Sequence, residues 1–122
     1  MREILFRGKR KDNGEWVYGD LRHISDGHGG YILCIVDNTN GRNNDVTGVE
    51  VVPETVGQYT GLTDDNGVKI FEGDIVKIEG GDWRIGYSNA LAKFLAFNSW
   101  GIRRNIPIYS EREVIGNIHD TR

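Results

Sequence analysis

The chain reads as an all-β (mainly β) protein of short antiparallel strands, and three features of its 122 residues lead there. No window of about a dozen residues carries apolar side chains at three- and four-residue spacing without a glycine interrupting it, so helical periodicity is lacking. Apolar runs of strand length recur instead. Between them stand asparagine and many of the 17 glycines, residues that tolerate the positive φ angles of tight reversals.

The first hairpin joins Ile4, Leu5 and Phe6 to Trp16, Val17 and Tyr18 through Asn13-Gly14, a pair favoured where both turn residues take positive φ. A separate strand over 21–24 is predicted to reverse at Ser25-Asp26-Gly27-His28-Gly29-Gly30 into the apolar run 31–36. Residues 37–48 are polar, have little to bury, and are expected to form an exposed, mobile loop. A strand at 49–52 stops at Pro53, another spans 56–60, and Asp65-Asn66-Gly67 turns the chain into 68–71.

Glu72-Gly73-Asp74 then opens a strand in which Ile75 and Lys77 alternate with Val76 and Ile78, a pattern like the opening of a small SH3-like barrel. Strands at 83–87, 93–97, 106–109 and 113–118 complete a series whose spacing suits a barrel. Val56-Gly57-Gln58-Tyr59 and Ile115-Gly116-Asn117-Ile118 share an order of β-branched residue, glycine, amide and large apolar residue. That order marks two equivalent strands or arises by chance over so short a stretch.

Composition narrows the function classes. No apolar stretch approaches the roughly 20 residues of a membrane span, and residues 1–7 lack the apolar run of a secretory signal, so a cytoplasmic protein without membrane contact is expected. Cys34 is the only cysteine, which rules out an intramolecular disulfide, and its apolar surroundings fit a buried thiol rather than a nucleophile. A net charge of -3 argues against indiscriminate coating of nucleic acid, which relies on a large positive excess. Local basic clusters exist at Arg7-Lys9-Arg10-Lys11 and Arg103-Arg104.

The sites of chemistry that the sequence offers are weak. Asp64, Asp65, Asn66, Glu72 and Asp74 lack the calcium-loop spacing and are better explained by a turn. His23, His28 and His119 have no zinc spacing, and His119-Asp120 point to opposite faces of a strand near the end of the chain, where fraying explains them better than acid-base catalysis. Nucleophile-elbow, phosphate-loop and dinucleotide signatures are missing, so neither catalytic residues nor a cofactor or metal is assigned.

Pro53-Glu54-Thr55-Val56-Gly57-Gln58-Tyr59-Thr60-Gly61-Leu62-Thr63-Asp64-Asp65-Asn66-Gly67, followed by Ile70-Phe71-Glu72-Gly73-Asp74-Ile75-Val76, resembles the signature segment of the YopX family. The beginning, Arg2-Glu3-Ile4-Leu5-Phe6-Arg7-Gly8, and the end, Val114-Ile115-Gly116-Asn117-Ile118-His119, are similar to that family as well. The resemblance implies a phage or prophage origin and an SH3-like barrel in the second half; it implies no activity that transfers to a residue. The expected organisation is an N-terminal β-hairpin region over 1–60 packed on an SH3-like barrel over 61–122, together one compact unit.

The segment richest in recognition chemistry combines Trp83-Arg84 with Trp100, Arg103, Arg104 and Tyr109. Aromatic faces stack on bases while arginine pairs with phosphate, and the same residue types dominate protein-protein hot spots. Against this stands the reading in which Trp83 and Trp100 fill the core and the arginines are merely solvated. The leading functional expectation is a non-catalytic phage accessory protein that binds a host or phage protein or a second copy of itself through a strand edge. A nucleic-acid-binding module using these six residues and a small enzyme of unspecified reaction are the alternatives.

Overall fold

The computed structural model describes residues 3–37 and 48–120, so the polar run expected to be mobile lies almost wholly outside the described residues. Among those residues the regular elements are eleven strands and one 3₁₀ turn, Pro53–Thr55. The strands lie in two antiparallel sheets, and neither is closed by pairing of its outer strands. The chain divides into two compact units, Met1–Gln58 and Tyr59–Arg122.

In the first unit, β1 (Phe6–Lys9), β2 (Trp16–Ser25), β3 (Tyr31–Val36) and β4 (Val49–Glu50) form a meander, and the start of β5 (Gly57–Thr63) returns to pair with β1. The separate strand expected at 21–24 is the second half of β2. Residues 16–19 of β2 pair with β1 and residues 20–25 with β3, so the strand changes partner at Gly19. A Cβ at Gly19 would lie 2.0 Å from the Val36 carbonyl oxygen, which is why only glycine fits the changeover. Cys34, Ile35, Val36 and Val51 are the buried apolar residues here, the thiol among them as its apolar neighbours require.

In the second unit, β6 (Lys69–Phe71) pairs with the later part of β5. Then β7 (Asp74–Ile78), β8 (Gly81–Ser88), β9 (Lys93–Phe97) and β10 (Arg103–Arg104) form a meander, and β11 (Arg112–Asn117) returns to β7. Ile70, Val76, Ile78, Ile85, Ala96 and Ile106 make the core cluster, with Leu62, Trp83, Phe94 and Val114 packed against it. The strand expected at 106–109 does not form. Pro107 has no N–H to donate, and Ile106 alone of that stretch is buried.

Both units therefore follow one plan: four consecutive strands in a meander and a fifth beside the first. The register agrees too. Gly57 and Gln58 face Arg7 and Phe6, while Gly116 and Asn117 face Ile75 and Asp74. The short likeness between 56–59 and 115–118 thus marks two closing strands in equivalent positions.

Three reversals share a second device. Asp26, Asp64 and Asn98 each begin a turn in which one side-chain oxygen accepts from the N–H groups two and four residues on, at 2.7–3.1 Å. Gly29, Gly67 and Gly101 take the left-handed position at φ 87, 80 and 80°. These are three-residue reversals ending in a glycine, so Asn66 has no positive φ, contrary to the Asn-Gly expectation. The pair with positive φ at both turn residues is Glu79-Gly80, between β7 and β8.

Candidate functional site

Strand alternation decides which residues of the arginine-aromatic segment meet. Across the second sheet, Ile75 faces Arg84, Arg84 faces Phe97, and Phe97 faces Arg103, giving one row over β7, β8, β9 and β10. The adjoining row runs from Ile85 to Ala96 to Arg104 and projects toward the core. The expected six-residue surface is consequently divided. Arg84 and Arg103 share a face with Phe97; Trp83 and Arg104 belong to the other.

On the core side, Trp83 is half-buried against the cluster, and the Arg104 guanidinium lies 5.6 Å from its ring centroid. Arg104 Nη1 also donates to Glu79 Oε2 at 3.3 Å. Both residues are committed to internal contacts, which answers the core-or-surface question for Trp83 in favour of the core.

On the other face the Arg84 guanidinium lies over Phe97, 5.1 Å from the ring centroid. Glycine at 86 makes room for that stack, because a Cβ there would come within 3.1 Å of both Arg84 Nη1 and Phe97 Cε1. Beside it is a cleft of about 240 Å³ lined by Ile75, Asp82, Trp83, Arg84, Phe97, Asn98 and Ser99. Among the described residues neither Arg84 nor Arg103 holds a carboxylate, whereas Arg10 pairs with Asp12, Lys11 with Glu50 and Arg112 with Asp65.

The rim of the cleft continues into the β9–β10 turn. Asn98 Oδ1 accepts from the N–H of Trp100 at 3.0 Å and of Ile102 at 2.9 Å, and the backbone closes through Asn98 N–H to Ile102 O. The backbone of this turn is therefore tied while the Trp100 side chain is 85 % exposed. Ile102 is 58 % exposed, and Tyr109, on the segment between β10 and β11, is 95 % exposed. For Trp100 the core-filling alternative fails. No hydrogen bond or ring contact ties Tyr109 to the row among the described residues.

Asn98 and Ser99 fall within the arginine-aromatic stretch that the sequence marks out, whereas Ile75, Asp82 and Phe97 lie outside it. Alternation from Trp83 would have separated it from Arg84, and the Asn-x-x-Gly spacing at 98–101 matches the turn at 64–67. The acidic group at 64–74 serves structure. Asp64, 3 % exposed, accepts from Asn66 and Val68 N–H at Oδ1 and from Val114 N–H at Oδ2, and Asp74 accepts from Phe71 N–H. Burial raises the Asp64 carboxyl's pKa, but the N–H donors of Val114, Val68 and Asn66 with the Arg112 charge outweigh it, leaving the group below its usual range. No group of three or more His, Cys, Asp or Glu side chains placed to hold a metal occurs among the described residues, and no helix there is long and apolar enough to cross a membrane.

Fold and site together define a class: a small all-β protein of two like-built units, with an arginine-aromatic face on the second. The chain belongs to the YopX family, whose YopX protein description matches residues 5–122. Among solved structures it is similar to the crystal structure of protein EF1440 from Enterococcus faecalis, at 22 % identity and a TM-score of 0.58, over 98 % of this chain and 95 % of that one. That likeness concerns the fold. Comparison with curated proteins gives no match.

Proposed function

We propose that this chain is a non-catalytic protein-interaction module, encoded by a phage or prophage and acting in the host cytoplasm. Its contact surface lies on the second unit, around Trp100 and the Arg84–Phe97–Arg103 row. The observation that carries the reading is Trp100: a large aromatic side chain 85 % exposed on a turn whose backbone hydrogen bonds are internally satisfied. With the turn backbone already fixed, docking has only the tryptophan side chain to order there, and tryptophan is among the residues that concentrate binding energy at interfaces. Tyr109 and Ile102 add exposed apolar area of the same kind.

Charge favours a protein partner over nucleic acid. The net charge is -3, and Arg104, one of the three arginines a nucleic-acid reading would enlist, is already engaged by Glu79 and Trp83. The partner is a host or phage protein, or a second copy of the chain. The phage assignment rests on the signature segment at 53–76. We read the second unit as SH3-like in topology; the meander β7 to β10, the return of β11 to β7 and the Glu72-Gly73-Asp74 opening support this.

The test is affinity capture from host lysate with nuclease present, comparing the wild type with Trp100→Ala and Tyr109→Ala. Retention of a defined protein, or of a second, differently tagged copy of the chain, by the wild type and its loss from the Trp100 variant is the expected result. Equal retention by all forms removes this surface from the function. Capture that disappears with nuclease favours nucleic acid instead.

A further inference from the structure

We propose that the face carrying Arg84, Phe97 and Arg103 docks an extended acidic segment of a partner protein, with a carboxylate engaged by the two guanidiniums and an apolar side chain in the adjoining cleft. The inference rests on the protein-interaction reading above and names the chemistry of the partner.

The cation inventory is the first support. Arg10, Lys11, Arg104 and Arg112 each hold a carboxylate of this chain, while Arg84 and Arg103, on one row of one face, hold none among the described residues. They lie two strands apart, so their backbone positions are roughly 10 Å apart at about 4.8 Å per strand. Long arginine side chains projecting from such positions can converge on one acidic group or take two neighbouring ones. Phe97 stands between them, and its ring under the Arg84 guanidinium leaves the N–H edge of that group available for the planar fork that carboxylates accept.

The cleft supplies the second contact. Its volume of about 240 Å³ falls below the roughly 300–1,000 Å³ of small-molecule sites and suits a single inserted side chain. Ile75 and Phe97 give it apolar walls. The third support is negative charge in the wrong place for a polyanion: Asp82 lines the same cleft, so a continuous phosphate backbone would meet a carboxylate there. A peptide carries backbone N–H groups that Asp82 can accept. Extended geometry follows from β10, a two-residue strand that ends its sheet and gives an incoming segment an edge beside Arg103.

The test pans a displayed library of short randomised peptides on the full-length wild type and on Arg84→Gln/Arg103→Gln, whose fold is checked by circular dichroism. Selected peptides are then titrated into the isotopically labelled protein. The expected result is enrichment of Asp or Glu at a fixed spacing from an apolar residue, affinity at least about tenfold weaker for the variant, and shifts at Arg84, Phe97, Arg103 and the 98–102 turn. Selected peptides without acidic residues, peptides that bind the variant equally, or no enrichment at all overturn the inference. The protein-interaction reading survives any of these if Trp100→Ala still abolishes capture of the protein partner, and falls with the inference if it does not. Salt-sensitive binding of an oligothymidylate to this row, without peptide selection, overturns both.

Discussion

Asp64 carries more of the second unit's local order than any single motif would have announced. Its carboxylate ties the 64–68 turn to β11 through three N–H groups at 2.8–3.0 Å. Replacing it with Ala leaves those donors without their acceptor and is expected to lower the unfolding free energy by on the order of 3 kcal/mol, measured by urea titration. The sign of the pH effect follows from its lowered pKa. The stabilisation is fully present above the unfolded carboxyl value of 3.8 and is lost as pH falls through the lower folded value. The stability gap between wild type and Asp64→Asn should therefore narrow over that acid range; a gap that stays constant would contradict the assignment. Gly19 is the second sensitive residue. Alanine there meets the Val36 carbonyl oxygen and should cost about 3 kcal/mol in the same measurement.

At the scale of elements, most strands were legible because their apolar runs and turn residues agree, as in β3, β7 and β9. What escaped was set by partners rather than by local pattern. β10 is Arg-Arg, with no strand signature, and is a strand because the Asn98 turn delivers it to β9. The Trp83-Arg84 and Arg103-Arg104 pairs looked like one cluster in sequence, yet adjacent strand residues project oppositely, so each pair is split between faces. That parity was available from the sequence, but the register that lines up Arg84, Phe97 and Arg103 was not. The turn after β8 offers a test of backbone strain. Ala92 has φ 55°, a conformation costly for a residue with a Cβ, so Ala92→Gly should gain about 0.5–1 kcal/mol after the added freedom of the unfolded chain is subtracted. Within the core, Ile85→Ala should lose about 2–5 kcal/mol because the side chain is almost fully enclosed. Both are read from denaturant midpoints at unchanged slope.

Across the whole molecule, two units of the same strand order share little sequence beyond the closing-strand likeness, and the second alone carries the Arg84–Phe97–Arg103 face. The position of Ile75 in the second unit is taken in the first by Arg7, which is buried and lies 4.3 Å over the Trp16 ring. Repetition of the scaffold thus coexists with different chemistry on equivalent strands. The general character of the surface was legible from residue types, since tryptophan, tyrosine and arginine concentrate in one segment; which half of each pair faces the core needed the fold.

The measurement that bears most directly on the interaction-module account is equilibrium binding of the captured protein partner to wild type and to Trp100→Ala, at low and high salt. A loss of at least about tenfold in the variant, with only a modest response to salt, is the expected result. Unchanged affinity in the variant, or binding that collapses with salt and depends on nucleic acid, would contradict it.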